Sequence, residues 1–125
     1  MNIDRILWDT PQTCDDGKGN LFILFLTRAL TSSGYRIAFY WDENENILTD
    51  DGWVIDNIAC SSNLNESLYK GNTKTLEDLN KLTRKYHCKV TKDLDLICKD
   101  SVENDGIVEM IQAATAIDAY VQLCD

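Results

Sequence analysis

The stretch "YRIAFYWDENENILTDDG", residues 35–52, contains the strongest fold signal in this chain of 125 residues. Its first seven residues alternate in side-chain direction, as in a β-strand with one buried face. The polar segment "DENEN" has the composition of a hairpin loop, and "ILT" at 47–49 returns as a short strand. The residues on the apolar side are Tyr35, Ile37, Phe39 and Trp41. We therefore predict an antiparallel hairpin here.

The segment "TDDG" that ends this stretch predicts a structural turn formed by Asp50, Asp51 and Gly52. In such turns an aspartate carboxylate accepts backbone N–H bonds, and glycine adopts a positive φ. The following "WVI" either continues as a strand or enters a helical turn, for which Asp56 or Asn57 would be the cap.

The same aspartates permit a second interpretation. Asp50, Asp51 and Asp56, with Asp42 across the hairpin, could converge on a Mg²⁺ ion, since carboxylate oxygens are the ligands that this ion prefers. Nucleases with such a site usually also have a lysine near the metal and a basic groove, and residues 37–69 contain no Lys or Arg. The structural turn is therefore the favoured interpretation.

The remaining elements predict an α+β fold in one domain. Residues 20–31, "NLFILFLTRALT", are apolar on both faces and fit a strand or a buried helix, with the strand favoured by their aromatic and β-branched residues. We expect an antiparallel sheet, made of a meander and a short hairpin, covered by two helices. The predicted units are a lead at 1–19, a β meander at 20–58, a helix at 75–87, a short hairpin at 88–98 and a C-terminal helix at 103–123.

Both predicted helices are amphipathic. The first places Leu76, Leu79, Leu82 and Tyr86 on one face. The second has Ile107, Met110, Ile111, Ala114, Ile117 and Val121 at helical spacing, and Ser101 is a candidate cap. In the hairpin between them, Val90, Leu94 and Leu96 are expected to face the core.

Cysteine usage and hydropathy predict a soluble cytoplasmic protein without a membrane span or a cofactor. The five cysteines lack CxxC pairing and follow no signal-type leader, and the longest apolar run, "LFILFL", is far shorter than a membrane helix. His87, Cys88 and Cys98 could be imagined as metal ligands. Half-buried strand residues are the favoured interpretation, because zinc sites usually have closely spaced ligand pairs.

The net charge of −9 is segregated along the chain. No Lys or Arg lies between Arg36 and Lys70 or after Lys99, whereas the segment between Lys70 and Lys99 is predominantly basic. An acidic surface repels nucleic acid and attracts basic proteins, although acidic residues also serve simply to keep a small protein soluble. The candidate partner-binding residues are Asp42, Glu43, Glu45, Tyr40, Trp53, Glu103, Asp105 and Glu109.

Enzyme motifs are missing from the sequence. It has no GxSxG, no phosphate-binding glycine loop and no HExxH, and its single histidine has no nucleophile motif nearby. We therefore predict a binding protein and not an enzyme, with a metal-dependent nuclease as the alternative.

Several motifs together resemble the bacterial and phage family called domain of unknown function 1828. They are "TP" at 10–11, "DG" at 16–17, "ILTDDGWVIDNI" at 47–58, "LDLIC" at 94–98 and "GIVEMIQAATAID" at 106–118. The resemblance implies a small accessory protein in a bacterial or phage setting. Combined with the charge, it predicts a protein that inhibits or regulates a basic host protein, as an anti-defence protein, a nucleic-acid mimic or an antitoxin-like subunit.

Overall fold

A computed structural model describes residues 8–15, 17–58, 70–71, 73–99 and 105–124. Within these ranges the chain forms an antiparallel sheet of six strands in the order β1-β2-β3-β4-β6-β5. The strands are β1 (Gln12–Asp15), β2 (Leu21–Leu30), β3 (Arg36–Asp42), β4 (Ile47–Thr49), β5 (Cys88–Val90) and β6 (Leu96–Cys98). The helices are α1 (Trp53–Ile58), α2 (Thr73–Thr83) and α3 (Gly106–Cys124). The predicted α+β class is confirmed.

The segment that fitted either a helix or a strand is the strand β2. It pairs with β1 on one side, where Cys14 lies opposite Phe22, and with β3 on the other, where Phe25 lies opposite Phe39. The pairing with β3 is irregular between Leu26 and Leu30. Sheet hydrogen bonds on both sides of this segment therefore decide between helix and strand, which its periodicity did not.

The helices pack on one face of the sheet. Phe39, Leu48 and Leu96 point from the strands into this core and are fully buried. From α3 the buried apolar side chains are Ile107, Met110, Ala113, Ala114, Ile117 and Val121. Ile111, which the spacing assigned to the core, is only partly buried, because Ala113 lies closer to the centre of the apolar face. No helix in the described part of the chain has the length and apolarity needed to cross a membrane.

Several predicted boundaries are wrong. The lead contains β1, and α1 is a third helix inside the predicted meander. The helix predicted at 75–87 is α2, which starts at Thr73 and ends at Thr83; it is followed by a 3₁₀ turn, Arg84–Tyr86. The turn stops at His87, whose φ of 60 is incompatible with continued helix. Ser101 and the predicted start of the last helix lie outside the described residues.

Side-chain hydrogen bonds connect the helices α2 and α3 to the sheet. The Asn80 amide of α2 donates to the Val90 carbonyl at 3.1 Å and accepts from the Val90 N–H at 2.9 Å, so it occupies the outer edge of β5 as a neighbouring strand would. At the other end, the buried Asp118 carboxylate accepts hydrogen bonds from the N–H and hydroxyl of Ser32, which ties the β2–β3 turn to α3.

Candidate functional site

The turn between β4 and α1 is organised by the carboxylate of Asp50. This side chain is fully buried. Its Oδ1 accepts from the N–H groups of Gly52 at 2.9 Å and Leu96 at 2.8 Å, and its Oδ2 accepts from Val54 N–H at 2.7 Å. One carboxylate therefore connects the turn, the start of α1 and the strand β6.

The backbone of this turn is left-handed at two consecutive residues. Asp51 has a φ of 52 and Gly52 a φ of 81. The helix interpretation of "WVI" holds, but Asp50 satisfies the first N–H groups of α1, and the suggested caps Asp56 and Asn57 lie inside the helix. The reason is that a cap precedes its helix, and α1 begins earlier than either candidate would require.

Burial raises the pKa of Asp50 to about 6. The three backbone N–H donors favour the ionised form and oppose this rise, and the nearby Asp95 carboxylate adds to it. Both oxygens of Asp50 are already engaged by backbone donors, so this residue is poorly suited to hold a metal ion together with Asp51 and Asp56.

A groove of about 710 Å³ crosses the face of the sheet opposite the helices. Its floor contains Phe22, Tyr40, Ile47 and Ile97, one residue from each of four adjacent strands, β2, β3, β4 and β6. The ring centroids of Phe22 and Tyr40 are 6.5 Å apart in an edge-to-face arrangement. All four side chains are half-buried, and the floor is apolar although no described helix covers it.

The rim of the groove is acidic. Its carboxylates come from Asp15 in β1, from the β3–β4 hairpin, from the turn after β4 and from the β5–β6 turn. They are Asp15, Asp42, Glu45, Asp51, Asp93 and Asp95, and no Lys or Arg of the described residues lines the groove. Residues that are distant in sequence thus create one region of negative potential.

These rim carboxylates have no ion-pair partners among the described residues. Elsewhere, Asp9 lies 3.0 Å from Arg36 and 3.7 Å from Arg28, and the hydrogen bond from Arg36 lowers the pKa of Asp9. At the groove the direction is reversed: partial burial raises the pKa of Asp95, and the charges of neighbouring acids, foremost Asp51, raise it further. The rim is therefore an uncompensated acidic site.

A basic patch adjoins the groove on the same face. A smaller depression of about 310 Å³ is lined by Arg84, His87, Lys89 and Lys99 together with Cys88 and Ile97. Ile97 lines both depressions, so the surface changes from negative to positive across this one side chain.

Three of the eight predicted partner-binding residues line the groove: Tyr40, Asp42 and Glu45. Asp42 also accepts N–H bonds from Asn44 at 2.9 Å and Glu45 at 3.2 Å, so it shapes the hairpin that presents it. Glu43 is exposed in the same hairpin but is not part of the groove.

Of the other four candidates, three lie elsewhere and one is outside the described residues. Trp53 starts α1 and packs partly against the core. Asp105 is exposed beside α3, and Glu103 lies outside the described residues. Glu109 is only 16% exposed, and its Oε2 is hydrogen-bonded to Nδ1 of His87, which makes it a link between α3 and the end of the 3₁₀ turn.

Sequence reasoning missed six charged or apolar residues of the groove: Asp15, the pair Asp93 and Asp95, and the floor residues Phe22, Ile47 and Ile97. Asp93 and Asp95 lie in the segment that was counted as basic. Extending the alternation of β6 back by one residue could have indicated Asp95, because Asp95 and Ile97 both line the groove and Leu96 between them is buried. It could not have indicated Asp93, because Leu94 has a φ of 67 and interrupts the extended backbone.

The candidate zinc ligands His87, Cys88 and Cys98 are not all brought together. Cys88 and Cys98 lie opposite each other on β5 and β6 and are buried, whereas the side chain of His87 is 71% exposed. Among the residues with described positions, no group of three or more His, Cys, Asp or Glu side chains is arranged to hold a metal ion.

In comparisons with known proteins, no family model, no curated protein and no solved structure matches this chain. The resemblance to domain of unknown function 1828 therefore stays a prediction.

Proposed function

We propose that this chain is a small acidic accessory protein that binds a basic protein and inhibits or regulates it. One observation carries the proposal: six carboxylates line a single groove on the open side of the sheet, and no described Lys or Arg lines it or pairs with them. A cationic partner would relieve their mutual repulsion, which adds to partial burial in raising the pKa of Asp95.

The net charge of −9 acts in the same direction. Long-range attraction accelerates the encounter with a basic protein, and carboxylates at the docking site can occupy positions that nucleic-acid phosphates would take on such a partner. An inhibitor of a nucleic-acid-binding host protein in a bacterial or phage setting, acting in the cytoplasm, is the version that the sequence resemblance favours. A metal-dependent nuclease and an antitoxin-like subunit remain alternatives that no observation favours.

The test combines partner capture with association kinetics. A tagged chain is used to capture proteins from the organism that encodes it, and the captured protein is mixed with the wild type and with the triple variant Asp42→Asn, Glu43→Gln, Glu45→Gln in a stopped-flow instrument. We expect association to slow several-fold at low salt, with a smaller difference at high salt because the Debye length shortens to about 8 Å near 0.15 M.

Two single variants, one in the hairpin and one in a helix, remove the same charge from different places, and the helix variant is the control. Glu45→Gln removes one charge from the groove, and Glu77→Gln removes one from the exposed side of α2. Only the first should slow association. If both behave like the wild type and the triple variant associates at the wild-type rate at low salt, the acidic groove is not the docking site and the proposal is wrong.

A further inference from the structure

The outward side of the sheet has more apolar surface than an open face requires. In antiparallel sheets the solvated face is usually polar, which produces a clear alternation along each strand. Here the outward positions of β2 are Phe22, Leu24 and Leu26, all half-buried, while Phe25 and Thr27 occupy the buried side. This pattern accounts for the two-sided apolarity of β2, and burial by the helices explains only one of its sides.

The groove combines this apolar floor with charged walls. Ile97 lies beside Thr49 in the sheet, and Thr49 lies beside Tyr40, so these three groove-lining residues form one row across β3, β4 and β6. Carboxylates stand at both ends of that surface, from the β3–β4 hairpin and from the β5–β6 turn. A purely cationic ligand would leave the floor exposed, and a purely apolar ligand would leave the carboxylates without partners.

We propose that the groove binds a segment of the partner protein in which Lys or Arg side chains flank a large apolar residue. This inference rests on the proposed function, and it specifies the chemistry of the contact. The apolar residue lies on Tyr40, Ile47 and Ile97, where its burial supplies the affinity. The cationic side chains reach the rim, where they determine orientation and the rate of association.

The basic patch limits the length of the cationic segment. Lys89 and Lys99 lie on the far side of Ile97 from the acidic rim and would repel positive charge that extends past it. A bound segment therefore has its positive charges over the groove and neutral or acidic residues beyond Ile97. Long uniformly basic tails and nucleic acid satisfy only part of this surface.

A display selection of short random peptides on the intact chain tests the inference. We expect the selected peptides to contain Lys or Arg on both sides of an aromatic or aliphatic residue. One selected peptide, fluorescently labelled, is then titrated with the wild type and with single variants. Ile97→Ala should weaken binding by about tenfold at every salt concentration, because it removes apolar contact.

The rim variant should behave differently. Asp93→Asn should weaken binding at low salt and much less at high salt, since its contribution is electrostatic. Leu30→Ala is the apolar control, because Leu30 is 60% exposed and lies outside the groove. Glu77→Gln is the charge control. Neither control should change the affinity, and NMR titration should show that the bound peptide lowers the pKa of Asp95.

Three outcomes would overturn the inference. The first is that the peptides obtained by selection contain no basic residues, and the second is that a selected peptide binds the wild type and Ile97→Ala equally. The third is a homodimer in sedimentation that Ile97→Ala dissociates, because a second copy of the chain would then be the occupant of the groove. Each leaves the proposed function standing if the captured basic protein still associates in a manner that depends on Glu45. Wild-type association of the captured protein with both Glu45→Gln and the triple variant, with the peptide results intact, would instead reject the function and keep the groove's chemistry.

Discussion

Alternation of side chains along the strands gives the sheet two faces, and these two faces differ in burial and in charge. On the covered face, Phe39, Leu48 and Leu96 are completely buried, and α3 packs on the strands β3, β4 and β6 that carry them. On the open face, the neighbouring residues Tyr40, Ile47 and Ile97 are only half-buried and are surrounded by carboxylates. Strand periodicity predicts that two faces exist, whereas the placement of the helices decides which face becomes core.

The difference also separates stability from binding. Closely packed apolar side chains on the covered face contribute most to the free energy of unfolding, since their truncation leaves cavities. Half-buried side chains on the open face lose less on truncation and are available to a partner. Adjacent residues of one strand can therefore be used to measure the two roles independently.

The largest expected effect comes from β6, where consecutive residues point to opposite faces. Leu96→Ala should lower the free energy of unfolding by about 2–5 kcal/mol, because Leu96 is fully buried. Ile97→Ala should lower it by only about 1 kcal/mol, since burial of the whole side chain is worth roughly 1.5–3 kcal/mol and Ile97 is half-buried. Urea denaturation of both variants measures this contrast, and equal losses would mean that both faces contribute to the core.

A smaller effect should come from the pH dependence of Asp50. Its folded-state pKa of about 6 lies above the ordinary value of 3.8, so protonation favours the folded state: the stabilisation is complete below pH 3.8 and is lost as the pH rises through 6. The wild type should therefore gain up to about 3 kcal/mol relative to Asp50→Asn between pH 7 and pH 3.5.

Chemical denaturation of both proteins across this pH range measures the gain, and NMR titration of the Asp50 carboxyl gives its midpoint directly. A difference between the two proteins that stays constant from pH 7 to pH 3.5 would show that Asp50 keeps an ordinary pKa despite its burial.

The smallest effect concerns two glycines with positive φ. Gly52 has a φ of 81 and Gly34 a φ of 87, so Ala at either position should lower stability by about 1 kcal/mol. A Cβ at Gly52 would meet Asp95 Oδ1 at 3.6 Å and Asp56 Oδ2 at 3.7 Å, which is ordinary contact, and one at Gly34 would meet nothing within 4 Å. Thermal melts should show similar losses of stability for the two variants. A much larger loss for Gly52→Ala would show that the carboxylates of Asp56 and Asp95 cannot move to accommodate the added Cβ.

The elements that sequence predicted well are those whose pattern is local. The alternation in "YRIAFYW" matches β3 from Arg36 onward, whereas Tyr35, which was assigned to the apolar side, precedes the strand and is 58% exposed. The spacing in α3 identified most of its buried residues. The hairpin residues Val90, Leu94 and Leu96 are buried as expected. Helix α1 was missed as a separate element because its six residues are too few to establish a period, and its cap, Asp50, also bonds to β6, which is distant in sequence.

The candidate site was predicted only in part, for the same reason. Tyr40, Asp42 and Glu45 lie in the acidic segment that composition identified, and they line the groove. Asp93 and Asp95 belong to a segment of opposite average charge, and a count along the chain hides them. Averages over sequence windows do not report which charges share a surface.

The sequence by itself determined the α+β class, the strand periods, the positive-φ turn and the excess of negative charge, because each depends on local chemistry or on simple counts. Only the tertiary structure decided that β4 lies between β3 and β6, that Asp50 connects a turn to a distant strand, and that six carboxylates from four chain segments share one groove. These features depend on contacts between residues far apart in the chain, which burial and hydrogen bonding select only once the whole sheet has formed.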